Sequence, residues 1–180
     1  MRFVYNERKT AQAAIHLISL AGGSINYMVL IKLLYLADRH SLIETGVPIT
    51  GDRMVAMPHG PVLSRVLDEI HLGDGTDRSS TWYEYISEPT NHNVSSKKAS
   101  DLDELSDYEL SVLRQTFEKF GSLNRWALVS FTHTLPEWND PNGSSNPIDP
   151  VVILREAGKS DDEIEALVRE AEAIWFIRTL

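Results

Sequence analysis

No cysteine occurs among the 180 residues. Its absence removes disulfide bonds, thiolate zinc sites and cysteine nucleophiles together, and it fits a reducing compartment. Long apolar runs are missing too. A membrane-spanning helix needs about 20 consecutive apolar residues, and the best stretch here is interrupted by Gly22 to Ser24 and then by Lys32 and Asp38. The first residues, MRFVYNERKT, contain neither the apolar region nor the small-residue cleavage site of a secretion signal. The expectation is a cytoplasmic protein with no membrane partner.

Positive charge is scarce. Lys and Arg number 17 against 26 Asp and Glu, for a net charge of −9. The imbalance sits in residues 101–180, with seven basic and sixteen acidic side chains, whereas residues 1–60 carry six basic and four acidic. An acidic half repels phosphate backbones, and Lys97-Lys98 is too short a basic cluster to neutralise many phosphates, so no nucleic-acid partner is expected. The same charge either keeps the surface solvated or steers a basic partner toward it.

Recognisable catalytic spacing is also lacking. The six histidines are His16, His40, His59, His71, His92 and His133, and none stands in an H-E-x-x-H pattern. No serine lies in a G-x-S-x-G elbow, and Gly22-Gly23-Ser24 is not part of a phosphate loop. Ser64 follows Pro61 and is read as helping the backbone at a helix start. No metal, cofactor or catalytic residue is assigned. An enzyme is the minority reading, and its form would be a small hydrolase or metal-dependent enzyme using His59, His133 and nearby carboxylates.

What is present is helical. Thr10 to Leu20 has an apolar face and ends at Gly22-Gly23; Asn26 is a candidate cap for a second helix, apolar almost all round from Tyr27 to Leu36 apart from Lys32. Gly46-Val47-Pro48 ends it. Arg53 to Met57 is β-compatible, and Pro61 suits the first turn of a helix over Val62 to His71, which makes His59-Gly60 a strand-to-helix corner. A loop over Gly73 to Ser80 leads to Thr81 to Ser87, whose alternation predicts a strand, with Asn93 to Lys97 as its hairpin partner. Helices follow over Asp107 to Phe120, opened by a Ser106/Glu109 capping box, and over Leu123 to Thr134. An exposed loop spans Asn139 to Pro147. Asp149-Pro150 opens a short helix ending near Gly158, and a second capping box, Ser160/Glu163, opens the last one. The fold class is mainly α: a single helical domain over residues 1–180 with a small antiparallel β element of two or three short strands. Most of Trp126, Trp175, Phe131 and Phe176 should be core, whereas Trp138 is a half-exposed anchor.

Three pieces of text are more specific: Lys32-Leu33-Leu34-Tyr35-Leu36-Ala37-Asp38, then Pro48-Ile49-Thr50-Gly51-Asp52, then Met57-Pro58-His59-Gly60-Pro61-Val62. Together they make the chain resemble the SocA-like Panacea domain family of bacterial and phage antitoxins, and THTLPEW, with His133 and Trp138, is similar to a pairing near the end of that domain. The resemblance implies a mainly helical protein that neutralises a cognate toxin in a toxin–antitoxin system by direct contact, or an adaptor that hands the toxin to an ATP-dependent protease. Candidate partner-binding residues are Tyr35, Asp38, Arg39, Arg53, His59, Gly60, Pro61 and Trp138. Tyr35 and Asp38 are expected to face the His59 corner as one polar patch, or Asp38 forms ion pairs with Lys32, Arg39 or Arg53 at a solvated helix end. His59 either fixes the corner through its imidazole or touches the partner.

Overall fold

Asn6 starts the first helix, its side chain accepting a hydrogen bond from the Lys9 amide at 2.9 Å. In the computed structural model, which describes residues 1–71 and 80–179, helix α1 runs over Glu7–Leu20 and stops where Gly22 and Gly23 take φ of 84° and 99°. Strand β1 (Ser24–Asn26) leads into α2 (Tyr27–Thr45), capped by the Asn26 side chain on the amides of Met28 and Val29. Every residue from Val29 to Asp38 is buried, and Gly46 at φ 79° ends the helix. The other elements assemble around this one buried rod.

Beyond α2 come strand β2 (Met54–Met57), strand β3 (Gly60–Leu63), helix α3 (Ser64–His71), the short helix α4 (Thr81–Tyr85) and strand β4 (Asn93–Ser95). Helices α5 (Asp107–Phe120) and α6 (Arg125–Thr132), strand β5 (Asn146–Pro147), and helices α7 (Pro150–Glu156) and α8 (Asp161–Arg178) complete the order. Two small antiparallel sheets result, one pairing β1 with β4 and one ordered β3-β2-β5. The architecture is mainly α with a small β element, as the composition and periodicity predict. Both capping boxes form, Ser106 with Glu109 and Ser160 with Glu163.

Three local expectations are corrected. Pro61 lies inside β3, opposite Ala56, and does not open a helix. Helix α3 starts at Ser64 because Asp52 supplies its cap, the carboxylate accepting from the amides of Arg65 at 2.9 Å and Val66 at 3.1 Å. The corner is therefore a tight β-hairpin turned by Pro58-His59. The segment 81–85 is helical where alternation suggested a strand: Trp82 and Tyr83 are both buried, and the Glu7 carboxylate of α1 accepts from the Trp82 amide at 3.1 Å. The expected pairing with residues 93–97 forms in part: the Ser87 amide donates to the Ser95 carbonyl, the Lys97 amide donates to the Tyr85 carbonyl, and isolated antiparallel bridges join Ile86 to Ser96 and Thr90 to Asn93, while β4 pairs with β1. The far end of the 139–147 loop is tied down as β5 on β2. The loop expected over Gly73 to Ser80 lies, but for Ser80, outside the described residues.

Gly60 is the tightest point of the hairpin. Its φ is 89°, and a β-carbon there would lie 2.5 Å from Thr132 Oγ1 and 2.9 Å from Lys32 Nζ. Gly143 has a similar φ of 85° but open space around it. Gly60→Ala should therefore cost roughly 2–4 kcal/mol in urea unfolding, the sum of left-handed strain and overpacking, against about 1 kcal/mol for Gly143→Ala. Equal costs would show that crowding under the corner is absent.

Candidate functional site

Helix α2 carries three polar side chains into the core: Lys32, Tyr35 and Asp38, all at 0 % exposure. Each is answered by a different segment. Lys32 Nζ donates to the Pro61 carbonyl of β3 at 2.7 Å. Tyr35 donates to Glu137 Oε1 at 2.7 Å, and Arg39 clamps the same carboxylate through Nε at 2.7 Å and Nη2 at 3.2 Å. Asp38 accepts from the Thr50 amide at 3.0 Å and from the Thr50 hydroxyl. Thr50 passes the connection on, its hydroxyl accepting from the Asp52 amide at 3.0 Å, and Asp52 caps α3.

Burial shifts the charges of this network. Desolvation lowers the Lys32 ammonium to about 7. It raises the Asp38 carboxyl to about 7, assisted by the Asp52 charge and opposed by the Thr50 hydrogen bonds. The Tyr35 phenol is held well above its ordinary range by burial and then by the Glu137 charge.

The hairpin rests on the segment after α6. Thr132 Oγ1, Lys32 Nζ and His133 crowd the Gly60 backbone. The His133 ring stacks on Trp138 with centroids 3.8 Å apart and planes 13° from parallel, and Trp138 Nε1 donates to the Met57 carbonyl at 3.0 Å. Desolvation and the Lys32 charge push the His133 imidazole down, against a hydrogen bond to the Pro58 carbonyl. His133 Nε2 is buried without a hydrogen-bond partner. On the outer side, His59 is exposed and sets its ring edge-on to Trp126 at 5.7 Å, with the Arg125 guanidinium 5.1 Å from the Trp126 ring. Trp126 is 53 % exposed. Beside them opens a cleft of about 360 Å³ between α2, α3 and the hairpin, lined by Met28, Ile31, Met57, Val62 and Leu67 with His59 and His71.

The residues singled out in the sequence divide accordingly. Tyr35, Asp38, Gly60 and Pro61 are buried; Arg39 and Trp138 are half-buried; Arg53 and His59 are exposed. Tyr35 and Asp38 do not face the His59 corner, because they sit one and two turns farther along α2 and meet Glu137 and Thr50. Asp38 is no solvated helix end and makes no salt bridge with Lys32, Arg39 or Arg53: α2 continues to Thr45, and Asp38 is wholly buried against Thr50. Lys32, Thr132 and Glu137 were missed as site residues. Lys32 left a signal as the single charge in an apolar stretch, whereas Glu137 left none. Most of Trp126, Trp175, Phe131 and Phe176 were expected in the core; Trp126 and Phe176 are exposed, and Trp175 and Phe131 are half-buried. Among the described residues, no group of three or more His, Asp or Glu is placed to hold a metal, and no helix is long and apolar enough to cross a membrane.

The family described as antitoxin SocA-like, Panacea domain matches residues 30–139, a span that holds the network from Lys32 to Trp138. The chain belongs to this family. No curated protein and no solved structure matches it. The Panacea match gives the chain an antitoxin-type role, which implies a protein partner, and it leaves α1, α7 and α8 outside the matched region.

The two shifted charges make the Panacea core sensitive to pH in opposite senses. Folded Asp38 keeps its proton to about pH 7, while an unfolded aspartate loses it near ~4. The folded state therefore binds more protons between about pH 4 and 7, and this group's contribution to stability falls across that window as pH rises. Folded Lys32 releases its proton near about 7, while the unfolded chain keeps it to about 10.4, so its contribution rises from about pH 7 to 10. In urea titrations, Asp38→Asn should lose the fall and Lys32→Met the rise. Variant profiles parallel to wild type in those windows would contradict the assignment.

Proposed function

We propose that the chain neutralises a toxin protein by binding it directly, without catalysis, through the face around the His59 corner. The observation that carries this reading is Trp126, 53 % exposed and held between His59 and Arg125. Tryptophan and arginine are the side chains that most often dominate binding energy when an interface closes over them. The corner beneath is held by Lys32, Thr132, His133 and Trp138, so little conformational entropy is lost when a partner docks. Of the candidate residues, His59 supplies direct contact, Arg53 lies at the other end of the hairpin, Arg39 is held on Glu137, and Tyr35, Asp38, Gly60, Pro61 and Trp138 position the surface from within.

Among the described residues, the groups named for the hydrolase alternative are engaged elsewhere. Glu137, close to His133 in sequence, is committed to Tyr35 and Arg39, and His133 is stacked against Trp138. A neutralising surface needs neither a free base nor a nucleophile.

The test is growth of cells expressing the open reading frame next to the one for this chain, with and without this protein, and co-purification of the pair. Wild type should rescue growth and form a stable complex. Trp126→Ala should weaken the complex by about 2 kcal/mol, near thirtyfold in Kd, with an unchanged thermal melt, and His59→Gln should weaken it less. Undiminished rescue and affinity in both variants would overturn this face. Rescue that vanishes in cells lacking the ATP-dependent protease would favour the adaptor role over direct masking.

A further inference from the structure

Resting on the reading of the His59 corner as the toxin-binding face, we propose that His133 is a positioning residue of that face, and that protonating its imidazole loosens the hairpin and weakens the hold on the partner. His133 stands between the two halves of the face. Its backbone closes α6, the helix that carries Trp126, through a bond from its amide to the Val129 carbonyl at 3.0 Å. Its ring meets the hairpin that carries His59. The imidazole bonds to the Pro58 carbonyl, and its Cδ2 lies 3.3 Å from the point that a β-carbon on Gly60 would occupy. It also stacks on Trp138, whose indole N–H reaches the Met57 carbonyl. The ring thus holds the chain on both sides of His59, directly or through Trp138.

Only one protonation state suits that position. Nε2 is shut off from water and has no hydrogen-bond partner among the described residues. A neutral imidazole can leave this nitrogen as a bare lone pair, whereas the imidazolium must place an N–H there, and a buried charged donor without an acceptor is unfavourable. The groups facing the ring pull both ways: Lys32 of α2 and His59 of the hairpin oppose a positive charge, while Asp140, beyond Trp138, and the Pro58 carbonyl favour it. Burial and Lys32 prevail, so the folded ring takes up its proton below the ordinary histidine value of 6.5. In a loosened corner water reaches Nε2 and the ring returns to that ordinary value, near ~6.5. The loosened form therefore binds more protons below about pH 6.5, and acid shifts the balance toward it.

The test follows the His133 imidazole and the indole signals of the four tryptophans by NMR in the whole chain. The range runs from about pH 7.5 to about pH 5, spanning the ordinary histidine value. His133 should titrate below ~6.5, and the Trp138 and Trp126 indole signals should move with it. Affinity for the product of the neighbouring reading frame should fall about threefold or more over the same range. In His133→Gln, which keeps a neutral polar side chain, and in His133→Phe, which keeps a flat ring against Trp138, the indole movements should be gone and the affinity profile flat. Titration of His133 at or above the ordinary value, indoles that stay in place while it titrates, or movements that persist in the variants and so belong to His59 would each overturn the proposal. A partner held equally tightly across the range defeats the role of His133 and leaves toxin binding intact. The indole response with no bound or neutralised partner defeats toxin binding and leaves the proton-linked corner.

Discussion

Polar side chains buried on the central helix need partners, and the rest of the structure supplies them. An ammonium, a phenol and a carboxyl are carried into the core by α2, and leaving any one unanswered would cost on the order of 1–3 kcal/mol, more for a charged group. The three answers come from places far apart in the chain: a carbonyl of β3 for Lys32, the carboxylate of Glu137 for Tyr35, and Thr50 for Asp38. Each bond fixes one segment against the same rod, so satisfying α2 also sets the hairpin, the Thr50 loop and the turn after α6. Apolar contacts alone would hold these segments on the helix with less to choose between neighbouring registers.

Thr50 extends the logic one step outward. Its amide and hydroxyl meet Asp38, its hydroxyl receives the Asp52 amide, and its carbonyl receives the Asn6 amide at 3.0 Å. Asp52 in turn caps α3. A single buried threonine thus links the N-terminal segment, the central helix and the third helix. The three pieces of text that carry the family resemblance are, in space, the two sides of these contacts: Lys32 to Asp38 on the helix, Thr50 to Asp52 in the loop, and Gly60-Pro61 in the hairpin. Most of these residues are internal framework; His59 of the third piece is exposed, and it meets Trp126, which lies outside that text.

The distinction bears on how such a domain meets a protein partner. The framework can stay constant while the exposed positions around the hairpin vary, because the energy that fixes the corner comes from below it. The half-buried aromatics divide the same way. Trp138 spends its indole N–H on the Met57 carbonyl and its ring on His133, whereas Trp126 leaves about half of its surface in water. Burying that surface against a partner yields stabilisation that the isolated chain does not have.

Helix boundaries were legible in the sequence wherever the cap and the helix lie next to each other. Asn26, Ser106, Ser160 and Asp149 act on amides two or three residues away, and Gly22-Gly23 and Gly46 stop helices by their own backbone freedom. Composition and periodicity likewise sufficed for a mainly helical chain with a little β-structure and a buried helix over 27–36. Tertiary contacts decided the rest. Asp52 moves the start of α3 past Pro61, and Glu7 turns the alternating residues 81–85 into a helix, because a carboxylate distant in sequence supplies the cap that local text does not. The pairing of Lys32 with Pro61 and of Tyr35 with Glu137 spans 29 and 102 residues. Local propensity acts over a few residues, whereas a buried polar group takes whichever partner the folded chain brings within about 3 Å, so the locally capped helices belonged to the sequence, and the start of α3, the helix over 81–85 and the buried polar network belonged to the fold.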